Sequence, residues 1–201
     1  MTRTALANPP AKARLLDAAQ ALMLARGFAA TTVDEICHQA KLTKGSFFHY
    51  FKSKDALGQA LLRRFCETGD QLHRSLCGSE RDPLKRVYRY IDEMIRLSRG
   101  PVMGKGCLLG TFAQELSDTH PDIRKMCSEA FSSWAVKLAA DLQQAKRMYA
   151  PRAAFNPHSL AEHFIAVLEG AQILSKTQQD SRIIRKSLEH FKAYLKTLYG
   201  R

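Results

Sequence analysis

The chain has 201 residues, 45% hydrophobic and 25% charged, a globular composition sized for one domain or a core plus a small module. Its 31 Lys and Arg outnumber its 19 Asp and Glu by twelve, a balance that attracts polyanions. No apolar run of about 18 residues is present, which excludes a membrane-spanning helix, and residues 1–10 lack the apolar stretch of a secretory signal and read as a short disordered lead.

Nearly every segment reads as helix. Residues 12–26 carry Leu15, Ala18, Ala19, Leu22 and Met23 at a 3.6-residue period and stop at Gly27. Residues 32–40 open with Thr32-Val33-Asp34-Glu35, a capping box in which the Thr oxygen and the Glu carboxylate satisfy free N–H groups. A turn at Lys41 and Leu42 leads to Thr43, a cap for a helix over 44–50, and Ser53 caps another over 54–76. Pro83 suits the first turn of a helix to about residue 99, with Val87, Tyr90, Ile91, Met94, Ile95 and Leu97 as its apolar positions. Gly100-Pro101, Gly104 and Gly106 break the chain, and helix resumes over 107–116. Pro121 starts a long helix with Ile123, Met126, Cys127, Ala130, Phe131, Trp134, Leu138 and Leu142 in register. After a loop at 151–156, Asn156-Pro157 opens a helix to about 178, and the last begins at Asp180. The expectation is an all-α fold of nine helices, three short ones followed by a larger bundle.

Residues 32–51 have the spacing of a helix-turn-helix, whose second helix enters the DNA major groove. Its leading end is Thr43-Lys44-Gly45-Ser46, with two hydroxyls, one charge, and a glycine that lets the backbone approach closely. Thr43, Ser46, Phe47 and His49 are expected nearest the base edges, and Lys44, Tyr50 and Lys54 against phosphates, with Thr32 and Lys41 at the margin. Phe48 and Phe51 are expected to pack inward against Leu22 and Ile36. The charge surplus, 10 basic to 5 acidic residues over 1–69 and 21 to 14 over 70–201, is diffuse, so the motif rather than net charge locates this partner.

Here the residues carry a resemblance. Gly27-Phe28, TTVDEI at 31–36, TKGSFFHYF at 43–51, Lys54 and Leu57 resemble the DNA-binding domain of TetR-family transcriptional regulators. The resemblance implies a nine-helix homodimer, typically a repressor, and the unpaired cysteines of the chain fit reduced thiols in a cytoplasm. A DNA-binding domain over 9–69 would read a palindromic operator, and residues 70–201 would bind a small-molecule inducer and pair with a second subunit. Lys41 stands where the family usually has Gly. It either carries left-handed strain of about 1 kcal/mol or reaches a phosphate.

Gly106-Cys107-Leu108-Leu109-Gly110 with Ala113-Gln114-Glu115-Leu116 is similar to a subgroup of sensors of reactive electrophiles and unsaturated acids. Cys107 is expected at a helix N-terminus near Lys105, where a lowered pKa would make the thiol nucleophilic; the alternative is plain packing. The same subgroup resemblance places Lys176 near a ligand. Tyr90, Met94, Phe112, Phe131, Trp134, His163 and Phe164 are candidates to line a pocket. His163 lacks an HxxxH partner, so no metal is expected, nor any cofactor. Ile184, Leu188, Phe191, Leu195 and Leu198 are candidates for a dimer face.

Five cysteines, at 37, 66, 77, 107 and 127, form no CxxC and fit reduced thiols better than a disulfide framework or a zinc site. A thiol-dependent enzyme using Cys107 is the competing class, but no Cys/His/Asp constellation and no sheet is expected. GPVMGKGC at 100–107 lacks the strand and the ending of a phosphate loop. A helical DNA-binding module without effector is the third reading.

Overall fold

The computed structural model describes residues 10–78, 80–100 and 106–200. Within them the chain forms α1 (Ala11–Arg26), α2 (Val33–Ala40), α3 (Lys44–Tyr50), α4 (Lys54–Cys77), α5 (Pro83–Leu97), α6 (Leu108–Leu116), α7 (Pro121–Tyr149), α8 (Pro157–Gln178) and α9 (Arg182–Tyr199). The expected lead, apart from Pro10, and the expected Lys105 lie outside the described residues. No helix is long and apolar enough to cross a membrane, and no cluster of His, Cys, Asp and Glu could hold a metal, among the described residues.

Local chemistry sets the boundaries. Thr32 accepts the Glu35 N–H while the Glu35 carboxylate accepts the Thr32 N–H, completing the capping box. Thr43, Ser53, Asp82 and Asn156 each accept backbone N–H groups at the starts of α3, α4, α5 and α8, where such a cap contributes about 1 kcal/mol. Lys41 ends α2 in the left-handed region, φ 54°, ψ 48°, and is exposed.

Two buried cores share the helices unequally. The first joins α1, α2, α3 and the leading half of α4 with α6 and the start of α7, through Leu15, Met23, Phe28, Ile36, Phe47, Leu57, Leu61, Leu109, Phe112, Ile123 and Cys127. The second gathers α5, the rest of α7, α8 and α9 around Ile91, Leu138, Leu142, Phe164, Leu168, Ile184 and Leu188. Helix α4 runs between them, with Leu72 and Leu76 on the second core. Its far half pairs with α7 through Asp70 and Lys137, while Arg86 of α5 holds the buried Asp141 of α7, Nε at 2.8 Å.

The expected dimer face belongs to this second core. Ile184, Leu188, Phe191 and Leu195 are 0–3% exposed within one chain, because they are the stripe of α9 that packs on its own bundle. The large apolar side chains left exposed on α8 and α9 are Ile173, Leu174 and Tyr194.

Candidate nucleic-acid interface and effector site

Helix α3 is short, and an isolated helix of seven residues would not form in water. Phe47 fixes it to the protein. Its ring is 0% exposed and lies against Phe51, with centroids 5.7 Å apart. Phe47 therefore cannot reach a base edge, contrary to expectation. Phe48 takes the opposite place: expected inside, it is exposed, while Phe51 is buried as expected. Adjacent residues on a helix stand about 100° apart, so one ring can enter the core while its neighbour faces out, and periodicity over so few residues does not say which.

The outward surface of α3 and its turn carries Lys41, Thr43, Lys44, Gly45, Phe48, His49 and Tyr50, all exposed, with Ser46 partly so. Thr43 Oγ1 accepts the Ser46 N–H at 3.2 Å, so this hydroxyl caps α3 as well as facing outward. A Cβ on Gly45 would meet only Thr43 Oγ1, at 3.7 Å, so nothing inside the fold requires glycine there. Lys44 pairs with Asp34 at 2.8 Å, an exposed bridge that raises the Lys44 pKa through its hydrogen bond. Such a pair is weak and exchangeable. Thr32 is exposed, with its oxygen committed to the α2 cap.

Lys54, expected against a phosphate, is turned onto the protein's own backbone. Its Nζ donates to the carbonyls of Phe28 and Thr31, both at 3.0 Å, and lies 4.4 Å from the Phe28 ring centroid. It organises the loop between α1 and α2. On the other side of that loop, Glu115 of α6 accepts the N–H groups of Phe28 and Ala29, each at 2.7 Å. Neither role shows as periodicity; a basic residue after a recognition helix reads as a phosphate contact unless its carbonyl partners are seen.

Cys107 is the N-cap of α6, where expected, but its electrostatics are reversed. Burial pushes the thiol well above its ordinary value, and the nearby Glu169 carboxylate of α8 pushes it further. Burial raises the pKa of the Glu169 carboxyl as well. Gly110 permits this approach: a Cβ there would overlap the Glu169 carboxylate. Sequence reasoning missed Glu169 because it is 62 residues away on another helix.

The other effector candidates separate. Tyr90 and Trp134 converge on Phe164, with ring centroids 6.0 and 6.3 Å away, and buried Met94 shares their core. Phe112 sits in the first core, edge-on to Phe28 at 5.6 Å, and partly buried Phe131 packs on both cores. His163 is exposed and packs on Phe191 and Tyr194, so it does not line an interior site. Lys176 is also exposed and donates to the Leu24 carbonyl of α1 at 3.0 Å. Three buried atoms of this region, Trp134 Nε1, Glu169 Oε1 and Gln172 Oε1, have no hydrogen-bond partner.

Known proteins match this arrangement along nearly its whole length. Residues 15–61 match the description "Bacterial regulatory proteins, tetR family", and residues 83–191 match "Tetracyclin repressor-like, C-terminal domain". The HTH-type transcriptional repressor DhaR of Mycobacterium sp. (strain GP1) is 27% identical over 190 residues, 92% of this chain and 90% of that one. The repressor NemR of Escherichia coli (strain K12) is 26% identical over 186 residues, 91% and 92% of the two chains. Among solved structures, regulatory protein TetR from Rhodobacter sphaeroides superposes with a TM-score of 0.82 at 26% identity, covering 91% of this chain and 97% of that one. Reduced E. coli NemR superposes at 0.78, with 26% identity and 92% and 96% coverage. With a DNA-binding match on α1 to α4 and a second match spanning more than half of its residues, the chain belongs to the TetR family of DNA-binding transcriptional regulators.

Proposed function

We propose that the protein is a homodimeric repressor that leaves a palindromic operator when a small molecule or thiol-reactive compound acts on its α5–α8 region. The observation that carries the DNA-binding role is the exposed surface of α3, held rigid by the buried Phe47. Thr43, Gly45, Ser46, Phe48 and His49 face the bases in this reading, and Lys41, Lys44 and Tyr50 face phosphates. The word repressor comes from similar proteins, DhaR and NemR, which carry it in their names.

Ile173, Leu174 and Tyr194 are the apolar residues on α8 and α9 that a second subunit would cover. The unpartnered Trp134, Glu169 and Gln172 atoms mark where an effector's polar groups would find partners. Cys107 reacts in this reading only after its cover opens, since a buried neutral thiol is a poor nucleophile. Movement of α6 and α4 then carries the two recognition helices out of register with successive major grooves. Catalysis is not part of this reading.

Titration of a fluorescent palindromic duplex, selected by the protein from a randomised pool, tests the assignment. A regulator binds one palindrome as a dimer and loses affinity steeply with salt. Equal binding to unrelated duplexes overturns it. Alkylation of the intact protein should weaken operator binding. If a Cys107→Ser variant responds to the same reagent as wild type does, the thiol is not the sensor.

A further inference from the structure

The loop between α1 and α2 leads directly into the helix-turn-helix; its Phe28 is buried in the first core, and its buried Thr31 donates a hydroxyl to the Gly27 carbonyl at 2.7 Å. Ala29 and Ala30 are exposed. The backbone is also held by residues outside the loop. Lys54 takes the carbonyls of Phe28 and Thr31. Glu115, 86 residues away in sequence, takes the N–H groups of Phe28 and Ala29, one on each carboxylate oxygen at 2.7 Å. These are short, charge-assisted bonds with little freedom of geometry. The loop is shaped to receive them: Gly27 has φ +91°, and a Cβ there would stand 2.8 Å from Glu115 Oε2. A second strut comes from α8, where Lys176 binds the Leu24 carbonyl near the end of α1.

Helix α6 is nine residues long, about 13 Å. Glu115 is in its last turn. Gly110, in its first turn, lies directly against the Glu169 carboxylate of α8, beside the N-cap Cys107. One rigid element therefore touches the α8 carboxylate at one end and the corner of the DNA-reading helices at the other.

We propose that Glu115 is a positioning residue for operator binding: it fixes the separation of the two recognition helices by holding the α1–α2 corner to α6. This rests on the dimeric, DNA-binding reading given above. Each subunit's helix-turn-helix stays folded through Phe47, the Thr32 cap and the apolar side chains of the first core, which do not depend on the Glu115 carboxylate, so Glu115 sets its orientation rather than its integrity. Lys176 serves the same purpose from α8.

The test uses the full-length protein and the duplex it selects, with versions carrying one or two base pairs inserted at the centre, and a duplex of a single half-site. Wild type should prefer one spacing steeply. Glu115→Ala should bind the selected palindrome about tenfold more weakly, the scale of a typical coupling between sites. Its half-site affinity should be unchanged and its spacing profile flatter. Glu115→Gln, which keeps one acceptor oxygen, should recover part of the loss. A fall in half-site and palindrome affinity together overturns the proposal, as does a spacing profile identical to wild type. If Glu115→Ala fails to fold, Glu115→Gln and Lys176→Met carry the same comparison, and unchanged profiles in both overturn it. A wild-type protein that selects no palindrome overturns the regulator reading itself, and this inference with it.

Discussion

Phe47 and Phe48 are chain neighbours with rings set edge to face, centroids 5.2 Å apart, yet Phe47 is 0% exposed and Phe48 is 57% exposed. The pair divides anchoring from recognition within one dipeptide. Phe47→Ala should cost about 3–5 kcal/mol of stability, the usual range for an emptied core aromatic. Phe48→Ala should leave the melting midpoint nearly unchanged and weaken operator binding. Thermal unfolding beside duplex titration separates the two, and the reverse pattern would show that the rings are wrongly assigned.

The two lysines nearest the motif should separate in the same way. Lys44 is exposed and only loosely held by Asp34. Lys44→Ala should lower the slope of log affinity against log salt by about 0.9 for each phosphate left without its cation, or about 2 for a dimer. Lys54→Met removes a charged donor from two carbonyls and should cost about 1–3 kcal/mol of stability, with the salt slope unaltered. Equal slopes for Lys44→Ala and wild type would remove Lys44 from the interface.

Cys107 in the native protein should alkylate slowly with iodoacetamide at pH 8, because burial and then the Glu169 charge hold the thiol protonated. Glu169→Gln removes the charge and leaves the burial, so labelling should quicken while staying slower than in the unfolded chain. Peptide mass spectrometry reads both rates. Fast labelling of native wild type would show an open, activated thiol instead.

Burial raises the thiol pKa of Cys37, Cys66, Cys107 and Cys127, the last to about 11 from an ordinary 9.0. Above pH 9 the unfolded chain gives up these protons while the folded chain keeps them. Folding stability should therefore fall as pH rises from 9 toward 11, with buried Cys127 contributing up to about 1.4 kcal/mol per pH unit between its unfolded and folded values. Cys127→Ala should show a shallower fall, measured by urea unfolding across that range. A fall of the same steepness would take Cys127 out of the linkage.

Leu188 is 0% exposed and Leu174 is 49% exposed. Leu188→Ala should destabilise the chain by about 2–5 kcal/mol. Leu174→Asp should instead shift the protein toward monomer in sedimentation and weaken palindrome binding, with little change in the unfolding of the monomer. A Leu174→Asp variant that stays dimeric places the subunit contact elsewhere.

The helices are legible in the sequence because capping residues and apolar periods announce them: Thr32, Thr43, Ser53 and Asn156 start helices where a capping oxygen is needed. What each face packs against is harder to read. The apolar stripe of α9 looks excessive for one bundle, but α5, α7 and α8 bury all of it except the partly buried Leu198. Lys54 and Lys176 look like ligand contacts, because a sequence shows a charge and not the backbone carbonyls that bind it. The environment of Cys107 is hidden for a similar reason. A helix N-terminus is visible in sequence, and the Glu169 carboxylate from α8 is not.

Helix α6 and the opening of α7 lie in the same core as the DNA-reading helices, through Leu108, Leu109, Phe112, Leu116, Ile123 and Cys127. A DNA-reading head cut from this chain at the end of α4 would lose that apolar wall and present its inner face to water. A chimaera that exchanges heads between two such regulators would join mismatched surfaces unless α6 travels with the head. The transplantable unit is thus discontinuous in sequence: the first four helices, together with a short helix that arrives after α5.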